Sequence, residues 1–282
     1  NNLIKMQRSV VSMDVTKCMF LGSVDKVIAA GDAPRANVQI LYSGEDSNEL
    51  EVQESLPLHG RCTDFELCGV PRIAQTFGAV ALWDSSNCKS RVSLLGMETF
   101  SSVAQLKDLN LNVYSDTCAI SSLSYSADLE LLAIGTEAGL VTIVDIHARV
   151  ALHTIKADPC GLLKVKFTRT GQLLTVGEST KAQIKIWDLR SSPAAQNKPE
   201  IALSQSLSED RLHNAVKGKT TCICAHPVHE KLISGTSSGI VHLWDLRSEA
   251  SIAFKPHAHT SGTVLIFLLI THLLLLSSSF VN

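Results

Sequence analysis

Eight cysteines and ten histidines are the side chains of this chain best suited to metal binding, nucleophilic attack or proton transfer, and their spacing argues against all three. The cysteines stand singly or as Cys222-x-Cys224, with no Cys-x-x-Cys pair. On a strand Cys222 and Cys224 share one face. A metal reading exists, but two small apolar side chains packing together is preferred. His59, His213, His226, His229, His242, His257 and His259 are scattered, and none sits beside a serine or cysteine with a carboxylate in an acyl-transfer arrangement. Gly-rich phosphate loops and the His-Glu-x-x-His helix are also absent. The expectation is a protein with no catalytic residue, no cofactor and no metal, and so not an enzyme.

Two arginines offer a different chemistry. Arg190 and Arg247 each follow a Trp-Asp-Leu, in Trp187-Asp-Leu-Arg190 and Trp244-Asp-Leu-Arg247. A guanidinium at the end of an apolar strand is a candidate partner contact; the competing and preferred reading is an ion pair within the strand edge.

The elements that carry these residues repeat. Gly239-Ile-Val-His-Leu-Trp-Asp-Leu-Arg247 returns as Ala182-Gln-Ile-Lys-Ile-Trp-Asp-Leu-Arg190, as Gly78-Ala-Val-Ala-Leu-Trp-Asp84 and as Gly139-Leu-Val-Thr-Ile-Val-Asp145. Ala36-Asn-Val-Gln-Ile-Leu-Tyr42 is a worn fifth copy. One strand ending repeated along a chain marks an all-β fold, a β-propeller. The anchors Leu41, Trp83, Val144, Trp187 and Trp244 lie 42, 61, 43 and 57 residues apart. A four-stranded blade consumes roughly 40 to 45 residues, so the two long intervals predict insertions, placed at Leu94 to Cys118 and Ser191 to Lys219. Pro193 and Pro199 argue against regular structure in the second. Loops of this kind on a rigid scaffold are candidate partner-binding segments.

Alternation explains the repeated residues. Along Val241 to Trp244 both faces of the strand are apolar, as a blade between two neighbours requires. Gly239, Gly139, Gly78, Ala182 and Ala36 are predicted to close the hairpin before each run. The preceding strands are Lys231 to Gly235, Leu131 to Gly135, Leu173 to Gly177, Arg72 to Ala74 and Val27 to Gly31. Innermost strands are predicted at Cys222 to Ala225, Val165 to Phe167, Leu123 to Tyr125 and Phe65 to Leu67. Trp83, Asp84, Asp145, Trp187, Asp188, Trp244 and Asp245 are therefore expected to be structural.

Hydrophobic content of 45%, charged content of 18% and a formal charge of −2 fit an ordinary globular domain. There is no lysine and arginine excess to displace the counterions of nucleic acid, and aromatics at 5% are too few for base stacking. No direct nucleic-acid or small-molecule partner is expected. Thiols in a reduced, cytosolic or nuclear setting are the preferred reading.

The C-terminal end departs from the pattern. Pro256-His-Ala-His259 opens a further blade, but Val264 to Leu276 is an apolar run of about 13 residues, short of the roughly 20 a membrane span needs. Residues 1–263 are read as one incomplete propeller domain, with 264–282 outside the native fold. The preferred explanation is a C-terminal truncation. A buried strand pair and a membrane tail anchor are the alternatives, and no membrane partner is expected unless the run is genuine. Five blades plus the start of a sixth are recognisable, and the intact protein is expected to have seven; propellers close with about four to eight.

The Trp-Asp endings and their spacing resemble the WD-repeat family over about Val27 to His259. In better-kept members an aspartate in the hairpin, a histidine, a serine or threonine and the tryptophan form a hydrogen-bonded tetrad. Ser238, Ala138 and Phe77 stand at the aspartate position here, so the full network is not expected. Leu163 to Gly177, leading into Ile184 to Arg190 and then Cys224-Ala-His-Pro227, is similar to the small WD-repeat nucleoporins of the Y-shaped pore scaffold, the nucleoporin-43 type. That resemblance implies a non-enzymatic scaffold subunit of the nuclear pore complex. Its partners would be other nucleoporins, and its place the nuclear envelope, with kinetochores in mitosis. The Trp-Asp-x-Arg motifs also match the way many propeller receptors of cullin-type ubiquitin ligases dock, with Arg190 or Arg247 as the contact.

Overall fold

The computed structural model describes residues 14–20, 26–32, 37–43, 50–70, 75–100, 103–168, 170–178, 184–189, 201–203, 219–225, 231–246 and 250–255. Among these, twenty strands form five four-stranded antiparallel sheets, each with the make-up of a β-propeller blade. The first is β1 (Asp14–Phe20), β2 (Lys26–Asp32), β3 (Val38–Ser43) and β4 (Leu50–Leu56). The second is β5 (Arg61–Val70), β6 (Gln75–Asp84), β7 (Lys89–Phe100) and β8 (Val103–Asp116). The third is β9 (Ile120–Ser126), β10 (Leu131–Thr136), β11 (Leu140–Asp145) and β12 (Val150–Lys156). The fourth is β13 (Leu162–Phe167), β14 (Leu173–Gly177), β15 (Ile184–Trp187) and β16 (Ile201–Leu203). The fifth is β17 (Thr220–Ala225), β18 (Lys231–Thr236), β19 (Val241–Asp245) and β20 (Ala250–Lys255). Every sheet pairs its strands in chain order.

The repeated endings fall on the third strand in four sheets: β3, β11, β15 and β19. The second sheet departs from the prediction. Its Trp83 lies on β6, which pairs with the innermost strand β5 through Phe65↔Val80 and Arg61↔Trp83. The sheet then needs two more strands, and Leu94 to Cys118 supplies most of them. The segment predicted as an insertion is largely the end of β7 and the whole of β8, paired from Ser90↔Asp116 to Phe100↔Val103. The 61-residue interval is long because Trp83 sits one strand early. Gly78 is likewise not a hairpin residue: it lies inside β6, where an added Cβ would come within 2.8 Å of the Phe65 ring. Arg72 to Ala74, the insertion from Ser191 apart from β16 and Lys219, and the run from Pro256 lie outside the described residues.

The hairpins predicted at Gly139 and Gly239 are present and share a device. Gly139 has φ 83° and Gly239 φ 79°, the left-handed region that glycine enters without a Cβ clash. Each glycine N–H donates to the carbonyl of a threonine three residues back, Thr136 at 3.0 Å and Thr236 at 3.0 Å. The threonine hydroxyl then accepts from the N–H of the residue after the glycine, Leu140 at 3.3 Å and Ile240 at 3.1 Å. Thr168 and Gly171 repeat the arrangement between β13 and β14.

Two compact units divide the molecule: Asn1–Ile134 with Ile143–His153, and Gly135–Thr142 with Thr154–Asn282. In the first unit, alternation along β6 sends Phe77, Ala79 and Ala81 into one core with Leu123, Leu132 and Val144. Val80 and Leu82 enter the opposite core with Ile28, Ile40 and Phe65. This is the two-faced burial the apolar runs predict. Each fully buried aliphatic side chain contributes about 1.5 to 3 kcal/mol. In the second unit Leu174, Val176, Ile184 and Ile186 meet Leu232, Trp244 and Leu246.

Candidate interaction site

The signature residues build strand ends. Trp187 and Trp244 are each 2% exposed, and each donates its indole N–H across the ladder: Trp187 to Thr175 Oγ1 at 2.9 Å, Trp244 to Ser234 Oγ at 2.8 Å. The acceptor lies two residues along from the directly paired position, since Leu173 opposes Trp187 and Leu232 opposes Trp244. Two members of the family tetrad, indole and hydroxyl, are therefore kept in the fourth and fifth sheets. In the fifth, His242 packs its ring 5.5 Å from that of Trp244. Trp83, displaced to β6, is only half-buried.

The aspartates close turns. Asp84 accepts from Ser86 N at 2.9 Å, Ser86 Oγ at 2.6 Å and Asn87 Nδ2 at 2.8 Å, with His59 Nε2 at 3.4 Å. The Ser86 hydroxyl and N–H, then Asn87 and His59, hold its carboxyl down to about 2 against a small desolvation cost. Asp145 accepts the Ala148 N–H at 2.8 Å. Asp188 follows β15, and Asp245 ends β19 opposite Lys231, both half-buried. Arg190 and Arg247, the candidate partner contacts, lie outside the described residues.

Buried charges that the motifs do not announce do more to tie strands together. On β5, Asp64 and Glu66 are nearly inaccessible, and Lys17 from β1 reaches both, at 3.2 Å and 2.7 Å. Asp64 also accepts the N–H of Phe65 at 2.8 Å and of Leu123, on β9, at 2.7 Å. One carboxylate thus joins the innermost strands of three successive sheets. Burial works against the Lys17 ammonium, but Glu66 and Asp64 outweigh it and raise its pKa. In the second unit, Asp158 is 1% exposed and pairs with Lys185 at 3.2 Å, while Lys185 also donates to the Ala157 carbonyl at 2.6 Å. Gly177 makes room for that carboxylate, since a Cβ there would overlap Asp158 Oδ2.

Cys62 and Cys68 are core packing groups, while Cys18, Cys88 and Cys160 are exposed. Cys222 and Cys224 sit half-buried on β17, opposite Gly235 and Ile233. Burial, with Asp64 adding to it, pushes the Cys62 thiol up to about 12, and burial holds Cys68 well above its ordinary value. Among the described residues no group of three His, Cys, Asp or Glu is placed to hold a metal ion, and no helix is long and apolar enough to cross a membrane.

What faces outward is the edge of the sheets. Among the described residues the large apolar side chains left exposed are Val15, Val52, Val150 and Leu152. Two of these, Val150 and Leu152, are 54% and 52% exposed at positions i and i+2 of β12, the strand that ends the third sheet. Strand alternation puts both on one face. Exposed His147, Ala148 and Arg149 precede them.

Comparison with known proteins agrees with this geometry at the level of the repeat. Residues 208–245 match the family WD domain, G-beta repeat, a span ending with β19. The Target of rapamycin complex subunit LST8 of Mus musculus is 31% identical over 103 residues, covering 36% of this chain and 27% of the relative. The protein of the same name from Bos taurus is 32% identical over 91 residues, covering 32% and 23%. The chain spans about a quarter of the length of these curated relatives. None of these matches names an enzyme, and none supports the nucleoporin resemblance.

Proposed function

We propose that this chain is a non-enzymatic interaction subunit of a large protein assembly, a scaffold whose blades hold partner-binding edges and loops in fixed positions. The observation that carries the reading is the role of the signature residues: the described tryptophans and aspartates are engaged in strands and turns, while apolar side chains are left on an outer strand. A rigid β frame with variable edges serves binding.

Two assemblies are proposed, each from its own observation. The similarity of Leu163 to His259 to the small WD-repeat nucleoporins supports a subunit of the Y-shaped nuclear pore scaffold, acting in pore assembly and transport. The identity shared with the two LST8 relatives supports a subunit of a target of rapamycin complex. That identity extends over roughly two and a half repeats, a length on which the common blade pattern also acts.

Tagging the chain at its chromosomal locus and identifying what co-purifies at physiological salt tests the reading. Recovery of nucleoporins with a rim signal at the nuclear envelope selects the pore; recovery of other target of rapamycin complex subunits selects that complex. A cullin adaptor lost on Arg190→Ala/Arg247→Ala would overturn both assignments in favour of a ligase receptor. Recovery of the chain alone would overturn the scaffold reading itself.

A further inference from the structure

Burial covers both faces of the middle strands in the third and fourth sheets but alternates in the fifth. Val141 to Val144 of β11 are all buried, as are Leu173 to Gly177 of β14. In β18 and β19, Leu232, Ser234, His242 and Trp244 are buried, while Ile233, Val241 and Leu243 are only half-buried. Leu232 pairs with Trp244, and their face packs on Leu174, Val176, Ile184 and Ile186 of the fourth sheet. The half-buried residues share the opposite face. Cys224 pairs with Ile233 and Ile233 with Leu243; Cys222 pairs with Gly235 and Gly235 with Val241.

An antiparallel sheet that meets water on one side carries polar residues there. The middle of this face carries two thiols and three branched aliphatic side chains, with Lys231 and Asp245 only at its end. Such a face calls for an apolar cover, and the chain supplies one in the right place. Residues 57–60 and 117–119 each lead from the outermost strand of one sheet to the innermost strand of the next, which packs on the first sheet's face. Residues 256–263 follow the outermost strand β20 in the same way, and Val264 to Leu276 comes next, apolar except at Thr271 and His272. An extended connection of that length reaches about 26 Å, and four strands span only about 15 Å. The run is short of the roughly 20 residues of a membrane span, and its continuous apolar character suits a strand buried on both faces.

We propose that Val264 to Leu276 docks on the face of the fifth sheet formed by Cys222, Cys224, Ile233, Val241 and Leu243. Docking removes two apolar surfaces from water at once, the sheet's and the run's. The segment that the repeat pattern sets outside the propeller thereby becomes the cover of its last described sheet. The docking holds whether or not the scaffold reading does.

The two thiols on this face report its cover. In the full chain, alkylation by N-ethylmaleimide is followed at each cysteine by peptide mass spectrometry. Phe267→Asp/Leu268→Asp places a charge on both faces of the run, so one of the two meets the sheet in either register. This variant should speed the alkylation of Cys222 and Cys224 at least fivefold, while the buried Cys62 and Cys68 stay slow and the exposed Cys18, Cys88 and Cys160 are unchanged. Unchanged rates at Cys222 and Cys224 would overturn the proposal. Should Cys62 and Cys68 react as well, the variant has unfolded, and a second measurement on the otherwise unaltered chain decides. With p-benzoylphenylalanine in place of Leu243, irradiation should cross-link the chain to itself within Val264 to Leu276. A cross-link to a second copy or to another part of the chain, or none at all, would overturn the docking. So would partition of the full chain into phosphatidylcholine vesicles with Cys222 and Cys224 reacting as fast as in the aspartate variant, since the run would then lie in the bilayer.

Discussion

The backbone N–H of Leu123 donates to Asp64 Oδ2 at 2.7 Å, across 59 residues of sequence. The other carboxylate oxygen of Asp64 holds Phe65 N and lies 3.2 Å from Lys17. Three innermost strands therefore share one buried anion. Removing it would leave two N–H donors without an acceptor and Lys17 with Glu66 alone.

Asp64→Ala is expected to destabilise the chain by about 2 to 4 kcal/mol, because two buried N–H donors lose their acceptor while Lys17 keeps Glu66. Lys17→Met, which keeps the apolar stem, should cost at least as much, because it leaves the nearly inaccessible carboxylates of Asp64 and Glu66 without the cation they share. Urea denaturation of both variants checks the order; equal midpoints for Asp64→Ala and the parent chain would refute it.

The hairpin device of a threonine and a left-handed glycine gives a graded pair of outcomes. Thr236→Val removes the acceptor of the Ile240 N–H and should cost about 1 kcal/mol. Gly139→Ala should cost more, because a Cβ at φ 83° would also come within van der Waals overlap of the Asp158 carbonyl. Thermal unfolding of the two single variants separates them.

The three tryptophans should not be equivalent. Trp187→Phe and Trp244→Phe each leave a buried hydroxyl without its indole donor, and a loss of about 1 to 3 kcal/mol is expected. Trp83→Phe, at a half-buried strand end, should cost under about 1 kcal/mol. Chemical denaturation with the same probe for all three decides whether the repeat signature or the local environment sets the cost.

Acid should weaken the fold through His242 and His153, whose pKa values burial lowers below 6.5. The unfolded chain takes up these protons first, so the stability present above about pH 6.5 is lost as pH falls through the folded values. His242→Gln should flatten the decline in Tm between pH 7 and pH 5. An unchanged slope would remove His242 from the account. Asp84, held at about 2, stays ionised throughout that window.

How far the sequence discloses this molecule can be judged from particular residues. Strand identity was legible at β3, β11, β15 and β19, because burial on both faces demands an apolar run; Trp-Asp ends that run at β15 and β19, Val144-Asp145 at β11, and neither residue at β3. Strand order in the second sheet was not. The alternation around Trp83 suits a second strand as well as a third, and Gly78 reads as a turn glycine although its missing Cβ accommodates Phe65. Asp64 and Glu66 were hidden because alternating charges on a strand resemble a solvated face, and Lys17 lies in another sheet. A signal was available in the recurring Thr-x-x-Gly of Thr136, Thr168 and Thr236, which marks hairpins more faithfully than glycine alone.

The scaffold account is tested most directly by hydrogen exchange on the chain alone and on the chain within its purified assembly. The account predicts that amides of outer segments, β12 among them, gain protection in the assembly, while those around Asp64 on β5 are slow in both states. Exchange that is identical everywhere in the two states would contradict it.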